Sequence, residues 1–170
     1  MKLSELIPCL SVASPSFCKE LSTKALTELG ARRSKMSRDF MEEQVYHPWY
    51  WHEGDLWLNE DVATDIPLIV TGDLIISGIC VDYGGPLLVL GTMRCEHMVS
   101  EWSICVWRDL ICGGLCYQYY NDHVLEVHGA LSARVFISDE KHVEAKEWKV
   151  DIDYTSYENS TSEQLATYRA

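Results

Sequence analysis

Three histidines, His97, His123 and His128, are the first residues here that could do chemistry. Imidazole titrates near neutral pH and is a common metal ligand. Two acidic pairs, Glu60-Asp61 and Asp139-Glu140, could in principle serve as general acid and base, but neither has a diagnostic spacing. The chain has no nucleophile elbow, no phosphate-binding loop and no Gly-x-Gly-x-x-Gly. Seven cysteines are present: Cys9, Cys18, Cys80, Cys95, Cys105, Cys112 and Cys116. An odd number, with no secretory signal at the start, points to reduced thiols in a cytoplasmic protein. No Cys-x2-Cys pair offers a zinc knuckle. The richest surface chemistry is the segment Tyr117-Gln118-Tyr119-Tyr120-Asn121-Asp122-His123. Rigid aromatic area beside negative charge is the composition of a protein-binding hot spot. Glu96, Glu101, Trp102, Trp107 and Asp109 add acid and tryptophan nearby in sequence.

What must position these residues is a repeat. The pattern apolar-x-Val-x-Gly-x-Leu occurs as Leu68/Val70/Gly72/Leu74, Leu87/Val89/Gly91/Met93, Ile104/Val106/Arg108/Leu110 and Leu125/Val127/Gly129/Leu131. Five residues after each last position stands another apolar residue: Ile79, Met98, Leu115 and Phe136. The copies start 19, 17 and 21 residues apart, too short for a domain, so each must stack on its neighbours to bury its apolar face. Alternation around the valine implies a short strand, the glycine permits a sharp bend, and two further short strands follow. The predicted fold is mostly β: a short parallel β-solenoid of about five or six coils, rising about 4.8 Å per coil, with an N-terminal helical cap.

In that frame Cys95 and Cys112 share one apolar repeat position and Cys80 and Cys116 another, so all four are expected in the core. The histidines fall at three different repeat positions and do not stack into a ligand set. The sequence therefore calls for no catalytic residue, no metal and no cofactor. Stepping by six from the valine meets Asp82, Glu101, Gln118 and Asp139, which breaks the small-apolar rule of hexapeptide acyltransferase helices.

Residues 1–54 are read as a helical and aromatic capping segment. Its helix spans 14–30, with Ser14 as N-cap and Gly30 as stop, and Tyr46 through His52 close the open end of the core. Residues 55–154 form the solenoid, opened by a degenerate repeat at Leu56–Val62 and closed by an alternating strand from Val143 to Tyr154. Residues 155–170 are a polar tail. The net charge of −12, from 26 acidic and 14 basic residues, excludes nucleic acid and an anionic membrane as direct partners and favours a basic protein. No apolar run reaches membrane-spanning length.

The stretch from about Asp55 to His142 resembles a group of small bacterial β-solenoid proteins. It shares their repeated L-x-V-x-G-D-L strands, seen at Leu68-Ile69-Val70-Thr71-Gly72-Asp73-Leu74, and their Tyr-Asn loop, seen at Tyr120-Asn121. That group includes polymer-forming, bactofilin-like proteins and proteins encoded beside contact-dependent or polymorphic toxins, which look like immunity proteins. The resemblance implies a cytoplasmic, non-enzymatic protein, monomeric or a small homo-oligomer, that binds and blocks a cationic toxin domain such as a nuclease. The expected contact residues are Glu96, Glu101, Trp102, Trp107, Asp109, Tyr117, Tyr119, Tyr120 and Asp122. The alternatives are a bactofilin-like polymer subunit and a solenoid acyltransferase.

Overall fold

A computed structural model describes residues 1–14, 48–119 and 122–155. It begins with a 3-10 turn, Leu3–Cys9, and a two-residue strand β1 (Ser11–Val12). Three strands then repeat around a triangular prism: β2 (Tyr50–His52), β3 (Leu56–Leu58) and β4 (Val62–Thr64), followed by β5 (Leu68–Val70), β6 (Leu74–Ile76) and β7 (Ile79–Asp82). The third rung is β8 (Leu87–Val89), β9 (Met93–Cys95) and β10 (His97–Ser100). Later rungs fuse their strands around the corners. β11 (Ile104–Val106) and β12 (Leu110–Tyr119) make the fourth, β13 (Val124–Asp139) the fifth and β14 (His142–Thr155) the sixth. Every rung-to-rung pairing is parallel, and register places Leu68, Leu87, Ile104 and Leu125 in one row. The expected solenoid is therefore present, with six rungs.

Inward side chains form a single core of aliphatic residues with Met93, Met98 and Phe136. Cys80, Cys95, Cys112 and Cys116 all lie in it, as their repeat positions predict. Burial holds the Cys80 thiol well above its usual pKa, so it behaves as a small apolar residue. The fifth-residue apolar position is less regular than the sequence pattern implies. Met98 and Phe136 point inward, whereas Ile79 pairs with His97 on the outward side.

At the N-terminal end one sequence expectation lies outside the described residues and another needs correction. The helix over 14–30 falls, apart from Ser14, outside the described residues, and among the described residues the end of the stack is closed by a 3-10 turn instead. Leu3 plugs the core, Lys2 forms a parallel bridge to Ala63, and Ser4 donates its N–H and hydroxyl to Asp65 at 2.9 and 2.6 Å. β1 adds antiparallel to β2. Strand edges thus gain hydrogen-bond partners, which a helix could not supply. Nor is the aromatic segment a cap, for Tyr50–His52 is the first strand of the first rung, and the solenoid begins there rather than at 55.

The repeat glycine also works differently from a bend. Among the described glycines only Gly54 has positive φ. At Gly72, Gly91 and Gly129 a Cβ would lie 2.2–2.3 Å from the carboxylate of Asp55, Asp73 and Asp109, each on the rung below. Each of those carboxylates accepts the N–H of the residue after the glycine: Asp73 at 2.8 Å, Thr92 at 2.7 Å and Ala130 at 2.7 Å. The glycine is there to admit the aspartate. This accounts for Arg108. Register sets Arg108 over Gly91, and the residue in the aspartate's place on that lower rung is Thr92, so no carboxylate there calls for a glycine above it.

Candidate functional site

The third face consists of β4, β7, β10, the second half of β12, and the ends of β13 and β14. One of its two inward rows, Val62, Cys80, Met98, Cys116 and Phe136, is apolar, and the other is polar. Thr64, Asp82, Ser100, Gln118 and Ser138 align rung upon rung and are all buried. Register, not a fixed step of twelve, sets this row, so Ser100 and Ser138 replace Glu101 and Asp139 of the sequence reading. Asp82 accepts hydrogen bonds from the hydroxyls of Thr64 (2.5 Å) and Ser100 (3.0 Å) and from the Trp102 N–H. Lys141, also buried, donates to the Ser100 hydroxyl at 2.8 Å and to the Trp102 carbonyl at 2.6 Å. Burial pushes the Asp82 carboxyl up to about 7 and the Lys141 ammonium down to about 8, against the opposing pull of each charge on the other. The network clamps the backbone at Trp102 from inside and so fixes the corner that carries Glu101 and Trp102 outside.

Outside, the same face is apolar. Ala63, Val81, Val99, Tyr117, Ile137 and Tyr154 form one row in register. Beside it run Ile79, His97, Leu115, Val135 and Ile152. The first row is about 24 Å long at the strand spacing. Ile152 is 47% exposed and Tyr154 63%. At the corner that follows, the rings of Tyr117 and Tyr119 stack with centroids 5.4 Å apart, and the Tyr119 hydroxyl donates to Glu101 at 3.2 Å. Burial, then the charge of Glu101, raises the Tyr119 phenol above its usual pKa, so it stays a neutral donor. Trp102 stacks on His123 at 4.6 Å. Asp122, Asp139 and Glu140 are exposed at the same corner.

The expected contact residues therefore divide. Glu101, Trp102, Tyr117, Tyr119 and Asp122 come together at the corner after the third face. Glu96 is exposed at the corner before it, across the apolar rows. Trp107 and Asp109 lie at the remaining corner and do not join the site. Trp107 packs beside Ile69, Leu88 and Cys105, and Asp109 is occupied by the Ala130 N–H. Tyr120 lies outside the described residues. The three histidines likewise occupy three different corners. Sequence reasoning missed Val81, Val99, Ile137, Ile152 and Tyr154. The signal was there: along the third strands they alternate with the inward residues, as Val81 does with Cys80 and Asp82, and Val99 with Met98 and Ser100.

Comparison with protein-family models, curated proteins and solved structures finds no match. Among the described residues no helix is long and apolar enough to cross a membrane.

Proposed function

We propose that this chain is a binding protein rather than an enzyme, and that its third face docks a basic protein. The observation that carries the reading is the outward pair of apolar rows, ending at Ile152 and Tyr154, beside the acidic, tyrosine-bearing corner of Glu101, Tyr117 and Tyr119. A flat apolar centre with a polar rim is how protein interfaces are built. The net charge of −12 supplies the long-range attraction for a cationic partner. The resemblance to immunity proteins narrows the partner to a toxin domain whose active-site cleft the face covers. The test mixes the purified chain with the toxin domain encoded beside its gene, measuring complex formation by calorimetry and survival of cells carrying both. Val99→Lys and Tyr117→Lys point outward, leave the core intact and set like charge against a basic partner; each should weaken binding about 100-fold. Absence of both binding and protection by the unaltered chain would sink the reading.

One observation favours a second reading, a bactofilin-like polymer subunit. Among the described strands β14 pairs with β13 alone, which leaves its far edge open to another copy. The N-terminal turn and β1, which cover two edges of the opposite end, weigh against it. Filaments in electron micrographs would reverse the order of the two readings.

A further inference from the structure

The outward side of the first face carries a cluster that the third face does not use. Cys105 on β11 and Glu126 on β13 are register partners, side by side on adjacent rungs. His128 follows at the next outward place as β13 turns the corner. The Cys105 Sγ lies 4.0 Å from the Glu126 Oε2, and the His128 Nε2 lies 3.8 Å from the same oxygen. All three donor atoms are within 4.8 Å of one another. A tetrahedral zinc ion, with bonds of about 2.0–2.3 Å, sets its donors about 3.3–3.6 Å apart. Side-chain shifts of about 1 Å or less would therefore close the set.

The surroundings suit an ion. Cys105 and Glu126 are 3% and 4% exposed, and Cys105 packs with Ile69, Leu88 and Trp49, an apolar shell that strengthens charge interactions. Burial and then the Glu126 charge hold the Cys105 thiol well above its usual pKa, and the hydrogen bond from the Trp107 indole N–H offsets this only in part, so the sulfur is a thiol until an ion displaces its proton. The His128 Nε2 is buried and has no hydrogen-bond partner among the described residues. It faces a carboxylate and a thiol, as a ligand nitrogen does. The other edge of His128 is partly open, which provides a route in.

We propose that Cys105, Glu126 and His128 form a binding site for a divalent ion of the zinc class, with water in the fourth position. Thiolate and imidazole together select zinc or cobalt over magnesium or calcium. On binding, the Cys105 thiol proton passes to solvent and the sulfur bonds to the metal as thiolate. The ion would tie the fourth rung to the fifth.

Titrating the full chain with Co²⁺ tests this. A thiolate-to-cobalt charge-transfer band should saturate at one equivalent and vanish when Zn²⁺ displaces the cobalt. Cys105→Ser should abolish the band, and Glu126→Gln and His128→Gln should each weaken cobalt affinity about tenfold or more. Zn²⁺ should also raise the melting temperature of the unaltered chain and not that of Glu126→Gln, a near-isosteric change that serves even if Cys105→Ser fails to fold. A chain that gives no saturable band, or a band whose affinity is unchanged in the three variants, overturns the site.

Discussion

Asp82 and Lys141 show how one buried pair can position a surface. Both lie in the third face's polar inward row or against it, and both are bound to Ser100. Breaking a buried pair costs about 3–5 kcal/mol when one charge is left behind, so the pair is best probed through pH. Asp82, at about 7 in the folded chain against 3.8 ordinarily, keeps a proton that the unfolded chain has released. Between those values unfolding releases that proton, and stability falls as pH rises. Lys141, at about 8 against 10.5, lacks a proton that the unfolded chain holds. Between those values stability climbs with pH. These two groups therefore contribute a trough between about 7 and 8. Urea midpoints across pH 5–10 should show the acid-side slope shrinking in Asp82→Asn, by on the order of 1 kcal/mol per pH unit, with the alkaline limb retained. Identical pH profiles for Asp82→Asn and the unaltered chain would refute this.

Rung stacking is governed at the corners, where aspartate and glycine act as one element. Asp55 with Gly72, Asp73 with Gly91 and Asp109 with Gly129 obey the pairing, while Thr92 with Arg108 departs from it at both members. Thr92→Asp alone should drive a carboxylate into the Arg108 Cβ and destabilise the chain by about 1–3 kcal/mol, the usual cost of overpacking. Adding Arg108→Gly should recover most of the loss. A double-mutant cycle in urea should then give a coupling of about 1 kcal/mol or more, and simple additivity would show that the corner does not work as a pair. The repeat made the three-strand rung, the buried cysteines and the closing strand legible, because the alternation of apolar residues survives in every copy. It did not reveal why glycine recurs, since the Asp–Gly contact joins residues 17–20 apart that meet only once the register is set. The same limit hid the site. Trp107 and Asp109 look close to Glu101 in the sequence, yet the prism turns them to another corner. Cys105 and Glu126, 21 residues apart, are register neighbours that a strict reading of the repeat could have paired.

At the scale of the whole molecule, charge and the docking face should govern different halves of association. On the proposed reading, the −12 charge would act at a distance and orient a basic partner before contact. The apolar rows from Ala63 to Tyr154 act only once water is expelled between the surfaces. Their effects therefore separate in kinetics. Raising ionic strength shortens the Debye length from about 10 Å at 0.1 M to about 3 Å at 1 M, so the association rate constant should fall steeply while dissociation changes little. Tyr117→Ala should do the reverse. It removes aromatic area from the centre of the face and breaks the stack with Tyr119, so it should speed dissociation about tenfold or more and leave the salt dependence of association intact. Surface plasmon resonance with the immobilised basic partner, run for both proteins across a salt series, measures the two constants separately. Tyr117→Ala leaving dissociation unchanged would remove the third face from the interface and leave charge alone as the basis of binding.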